Sequence, residues 1–312
     1  MTRILLCVAI VVIAMGVGSC QAGGNAAGRP PVADGDGAAD PPDQGAGDPA
    51  GERREVTVAD RDALIAAMRA ATPGTTILLA PGTYDGGIYV EGLQGVEGSP
   101  IVIAATDPDH PPVISGGGTA MQLSDPAWLE LRDLVITGSS ANGLNIDDGG
   151  SFETPAHNIV IERCTWRGIA ATGNNDLCKL SGVDSFLVVS CTFLNGSPGG
   201  SMIDMVGCHS GIISDNRFEN GGSNCIQAKG GTHNIIITRN RFLNGGQRAI
   251  NIGGSTGLPY FRPQNADYEA TRIMVWANIF TGAVAPIAFV GAVQCAVVHN
   301  TIYLPEKWAV RI

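Results

Sequence analysis

"NCIQAKGGTHNIIITRNRF", residues 224–242, holds an apolar run, a glycine pair, a second apolar run and then Asn-Arg-Phe. The stretch just before it, "SMIDMVGCHSGIISDNRF", ends the same way at Phe218. Four further segments share the pattern: "NIVIERCTWRGI", "FLVVSCTFLNGS", "RIMVWANIFTGA" and "CAVVHNTIYLPE". The aromatic or Ile that closes each run falls at Trp166, Phe193, Phe218, Phe242, Phe280 and Ile302, at spacings of 27, 25, 24, 38 and 22 residues. A period in the twenties, built of short β-branched runs split by Gly and Asn turns, predicts stacked β rungs rather than a sandwich. The alternation and the glycine at every break exclude helix.

Two residues before each landmark stand Cys164, Cys191, Asn216, Asn240, Asn278 and Asn300. Equivalent positions of neighbouring rungs lie about 4.8 Å apart, so a column of Asn can bond rung to rung while Cys fills the same slot as a small apolar group. Cys164 and Cys191 are therefore expected to stack as free thiols, a disulfide between them being the alternative. The second run of each rung aligns as "GLNIDDG", "LCKLSGV", "MIDMVGC", "CIQAKGG", "AINIGGS" and "PIAFVGA". Period-2 alternation puts Leu144, Cys178, Ile203, Ile226, Ile250 and Ile287 inside. It leaves Asn145, Lys179, Asp204, Gln227, Asn251 and Ala288 on the outer face. A second outward column holds Asp147, Ser181, Val206, Lys229, Gly253 and Val290.

The composition is rich in turns and poor in charge: 43 Gly, 5% aromatic and 15% charged residues, with 29 acidic against 19 basic side chains and a formal net charge of −10. No Lys/Arg block is present, which argues against nucleic acid as a partner. The opening "MTRILLCVAIVVIAMGVGSC" has the short apolar core of a secretory leader, and Val17-Gly18-Ser19-Cys20 resembles a bacterial lipobox. Residues 1–19 are then a signal peptide and Cys20 the lipidated residue. The expected address is an exported protein anchored by lipid alone to a bacterial membrane, at the outer membrane or cell surface. The alternative is an ordinary signal peptide with an incidental cysteine. Residues 20–54 carry almost no large apolar side chains and read as a disordered Gly/Ala/Asp/Pro-rich tether. The folded part spans 55–312, and "KWAVRI" stops in mid-rung, so its C-terminal end is expected to be incomplete.

The folded part opens with "DRDALIAAMRAATPGTTILLAPGTYDGGIYVEG". Leu64, Ile65, Met68 and Ala71 form one apolar stripe over Asp60–Ala71, a short helix able to cap the end of a stack. This start and the rungs after it resemble right-handed parallel β-helix proteins of the pectin-lyase-like class, above all chondroitinase B and the related alginate lyases. The resemblance implies an all-β, right-handed parallel β-helix with an N-terminal capping helix, binding an acidic polysaccharide along an outer sheet. In that group a lysine in a phrase like "ISVKSS" acts with an arginine one rung later, and carboxylates just before the lysine hold calcium. "IQAKGG" puts Lys229 at the lysine position. The arginine position holds Gly253, with Arg248 at the preceding turn as the nearby substitute. The calcium positions hold Gly222 and Asn224, neither acidic, so no cofactor is expected.

The resemblance thus nominates Lys229 and Arg248 as catalytic residues, by removal of the proton beside a uronate carboxylate and stabilisation of the charge that develops. Lys179, Asp204, Gln227 and Asn251 form a polar row suited to sugar hydroxyls and carboxylates. A solvated sheet face is the alternative for both columns. The insertion "TGLPYFRPQNADYEA" lengthens one rung, and long loops in compact repeats are often functional. Within it Tyr260 and Phe261 could stack on sugar and Arg262 pair with a carboxylate, or the loop could pack its own aromatics. The histidines show no metal-ligand spacing, and no hydrolase, P-loop or dinucleotide motif is present. Two functions remain: an acidic-polysaccharide lyase, or a carbohydrate-binding or structural surface protein without turnover.

Overall fold

The computed structural model describes residues 54–169 and 172–312; the leader, Cys20 and the tether through residue 53 lie outside it. Each turn of chain gives one strand to each of three parallel sheets, which hold eleven, nine and nine strands among the described residues. One rung shows the design. Thr232–Thr238 runs in the first sheet, Arg241–Leu243 in the second and Arg248–Gly253 in the third. In the first of these, Ile235 and Ile237 are fully buried while Ile236 between them faces out, the period-2 pattern made physical.

The bend between first and second sheets repeats one device. Ser190, Asp215, Arg239, Ala277 and His299 all have φ between 53° and 58°, a left-handed kink that turns the chain. The next residue fills the corner. Asn240 Nδ2 donates to Asn278 Oδ1 (3.0 Å) and to Ile213 O (2.9 Å), while its Oδ1 accepts from Asn216 N and Nδ2 (both 3.0 Å). Asn278 and Asn300 repeat the arrangement. In the earlier rungs the Cys164 and Cys191 thiols donate to Leu131 O and Ile161 O instead. All six described cysteines are free and buried, as the ladder requires.

Trp166, Phe193, Phe218, Phe242 and Phe280 stack face to face inside, with centroids 4.5, 4.9, 4.8 and 4.7 Å apart. Each pair is also a register pair of neighbouring strands. The cap is a helix over Arg61–Arg69, with Asp60 accepting from Ala63 N at 2.8 Å as N-cap. Its Leu64 and Met68 are buried on the first rungs.

Candidate functional site

The third sheet carries the polar row in the expected register: Asn145 beside Lys179, then Asp204, Gln227, Asn251 and Ala288 on successive strands. Lys229 follows Val206 in the next column. Outward-facing is not the same as exposed here. Asp204 is only 1% exposed and Asn251 3%.

Asp204 is the centre of the arrangement. Lys229 Nζ lies 3.0 Å from its Oδ1 and Lys179 Nζ 3.5 Å from its Oδ2. Lys179 also reaches Asp176 Oδ2 at 3.5 Å. Asp176 is itself buried and accepts Ser201 N–H at 2.7 Å. Burial first, and then the neighbouring Asp204 charge, push the Asp176 carboxyl up to about 7, with Lys179 and Lys229 opposing. For Lys179 burial pulls downward, but Asp204 and Asp176 outweigh it and hold the ammonium above its ordinary value. Two lysine Nζ groups therefore converge on one deeply buried carboxylate, beside a second carboxyl whose charged form burial disfavours.

Above this floor opens a cleft of about 550 Å³, lined by Lys179, Lys229, Asp148, Phe152, Tyr260 and Arg262 among others. Tyr260, 68% exposed, stands on a one-turn helix, Leu258–Tyr260, in the insertion. Glu269 ties that loop down, accepting from Gly230 N (2.8 Å), Thr256 N (2.6 Å) and Thr256 Oγ1 (2.7 Å). Asp148 lies against Gly182, where a Cβ would fall 2.2 Å from its Oδ2. Burial and the adjacent Asp147 charge raise its carboxyl, against a bond from Gly150 N.

The other nominated residues divide. Arg262 lines the cleft, but its guanidinium turns inward: it forks onto Asp184 at 2.6 and 2.8 Å and donates to Gly207 O and Phe152 O. Although burial pushes the Asp184 carboxyl up, Arg262 and His209 hold it far below the carboxylate range. The fork ties together the Tyr260 and Phe152 walls. Phe261 is buried. Arg248 donates to Asn224 Oδ1 at 3.2 Å and does not line the cleft. Gln227 accepts from Ser201 Oγ and Asn224 Nδ2, and Asn251 Nδ2 donates to Gly253 O at 3.2 Å; neither lines the cleft.

Gly253 explains its own departure from the arginine pattern. Its φ is +100°, and a Cβ there would fall 1.7 Å from Val290 O, so no side chain fits that position. Calcium does not fit the donor set either. Gly222 and Asn224 offer no carboxylate, and the carboxylates nearby, Asp176 and Asp204, already face ammonium groups.

Residues 113–265 match the family model described as "Right handed beta helix region", which supplies the handedness of the three-sheet coil. The chain is a right-handed parallel β-helix. The alginate lyase from Paenibacillus sp. str. FPU-7 resembles this β-helix with a TM-score of 0.61 and 18% identity, over 83% of this chain and 99% of that one. The PL6 family alginate lyase AlyGC shows 14% identity and a TM-score of 0.45 over 76% and 38% of the two chains. A mannuronic acid specific polysaccharide family 6 lyase from human gut microbiota shows 18% identity and a TM-score of 0.43 over 73% and 65%. At these identities the likeness is one of fold. No curated protein matches the β-helix in sequence.

Sequence reasoning missed Asp184, Glu269, Asp148 and Phe152. Only Glu269 had a local signal, as the last acidic side chain before the insertion returns to the first sheet. The partners of Asp184, His209 and Arg262, lie whole rungs away in sequence.

Proposed function

We propose that this β-helix binds an acidic polysaccharide in the cleft over its third sheet and cleaves it by β-elimination. One observation carries the reading: Lys179 and Lys229 converge on the buried Asp204 at the floor of a cleft walled by Phe152 and Tyr260. Lys179 faces the uronate carboxylate and neutralises the charge that builds on it as the neighbouring proton leaves. Lys229, acting as the free amine, is the base that takes that proton, and Asp204 orients its Nζ. Tyr260 and Phe152 pack on sugar rings. Arg248, on the next strand, lies outside the cleft and holds Asn224, while Gln227 and Asn251 brace the row beneath the polymer. Export and lipid anchoring through Cys20 would hold the cleft at a bacterial surface, where such polymers are met.

Elimination leaves a carbon–carbon double bond that absorbs ultraviolet light. An absorbance screen over alginate, pectin and glycosaminoglycans should give one positive polymer, and Lys229→Ala should lower its rate at least about a hundredfold, the scale of a lost general base. Asp204 keeps Lys179 in that variant, so an unchanged thermal melt separates lost chemistry from lost fold. Equal rates in wild type and Lys229→Ala would overturn the assignment. A second reading has its own observation: the backbone at Gly253 excludes the arginine that the lyase pattern calls for. Retention on an acidic polymer without any unsaturated product would favour that non-catalytic, carbohydrate-binding surface protein.

A further inference from the structure

The corner between first and second sheets carries charges in a regular order. Arg163 reaches back one rung to fork onto Asp133 at 2.7 and 2.9 Å, and Arg239 likewise forks onto Asp215 at 2.8 and 2.7 Å. The next residue in this column is Ala277, whose methyl leaves a gap above Arg239. Around the gap opens a shallow cavity of about 430 Å³, lined by Asp215, Arg217, Arg239, Arg241, Ala277 and Ile279 with the edge of the Asn ladder. Arg217 and Arg241 are register neighbours on adjacent strands, which puts two guanidinium-bearing side chains about 4.8 Å apart at the backbone. Like charges so placed repel. Arg217 is neutralised by Glu219; the Arg241 guanidinium has no hydrogen-bond or ion-pair partner among the described residues. Three arginines thus meet two carboxylates in a chain whose net charge is −10.

We propose that this arginine shelf is a second anion site, taking carboxylate groups of an acidic glycan outside the cleft. Arg241 offers a planar fork that matches a carboxylate in two parallel hydrogen bonds. An anion there also removes the repulsion between Arg241 and Arg217, and Ile279 gives the sugar an apolar surface. The shelf lies at the first–second sheet corner and the cleft on the third sheet, so the shelf would hold a distant part of a long polymer and raise its apparent affinity without touching the reacting sugar. The proposal rests on the acidic-polysaccharide reading only for the nature of its ligand.

The test is affinity electrophoresis of the full chain through gels containing polygalacturonate and, separately, alginate, with a uronate trisaccharide and inorganic sulfate as competitors. Arg241 is exposed, so Arg241→Gln should fold normally. The expected result is an affinity for the retaining polymer about tenfold weaker in Arg241→Gln, the scale of one charge-assisted fork. Trisaccharide binding to the cleft should be unchanged, and the same Arg241-dependent loss should appear in a Lys229→Ala background. Retardation of wild type with no change in Arg241→Gln overturns the shelf and leaves the cleft standing. No retardation of wild type by either polymer overturns both. Release by low-millimolar sulfate overturns the glycan assignment, since the site would then hold a lone oxyanion.

Discussion

Asn240 is fully buried, and both ends of its amide are used: Nδ2 donates to Ile213 O and Asn278 Oδ1, and Oδ1 accepts two bonds from Asn216. Alanine would strand a buried N–H and a buried carbonyl, so Asn240→Ala should cost about 3 kcal/mol in chemical denaturation. Asn240→Cys should cost about half as much, because Cys191 fills the same slot and its thiol still donates to the Ile161 carbonyl. Equal costs for the two variants would refute the ladder as a source of stability. Asp176 gives a prediction of opposite character. Its folded-state carboxyl sits near 7, above the roughly 4 of an exposed aspartate. Between those values the folded state keeps a proton that the unfolded chain has lost, so this group's contribution falls as pH rises from about 4 to 7 and is flat beyond. Asp176→Asn should remove that fall: the variant gains on wild type by a few kcal/mol at most between pH 4.5 and 7.5. A constant difference between the two melts across that range would contradict it.

At the scale of elements, the insertion is held at two points. Glu269 closes the loop on itself, and Arg262 plugs it into Asp184, Gly207 and Phe152. Sequence reasoning offered Arg262 a substrate carboxylate, with a loop that packs on itself as the alternative; the structure turns its guanidinium onto Asp184. What that reasoning lacked was Asp184, 78 residues away, and nothing local in "GLPYFRPQ" says which way a guanidinium turns. Arg262→Leu leaves Asp184 without its fork. That should cost about 2 kcal/mol, discounted from a fully buried pair because Asp184 is 27% exposed. It should also free the loop, so that limited proteolysis cuts near Leu258–Tyr260 before any rung, whereas wild type resists there. Cleavage of both proteins at the same rate would show that the fork does not hold the wall.

Across the whole molecule, what was legible in the sequence is what repeats. The aromatic landmarks, the Asn and Cys ladder, the inward pairs and the outward columns all fell in their rungs, because each is a periodic demand made by stacking. What does not repeat was not legible: the covering of Asp204, the close approach that forces glycine at 253, and the joining of two loops across the cleft. The site is made of these exceptions. A chain of net charge −10 also repels a polyanion at long range, so recognition must rest on the local cations over the middle rungs, and added salt should weaken it less than it would a basic protein's grip. The most direct test of the account is a crystal structure with a bound acidic tetrasaccharide, taken with Lys229→Ala to prevent turnover. The account predicts density over the strands Cys178–Ser181, Ser201–Val206 and Asn224–Lys229, between Phe152 and Tyr260, with a uronate carboxylate against Lys179. Sugar bound on another face, with this cleft empty at a saturating concentration, would contradict it.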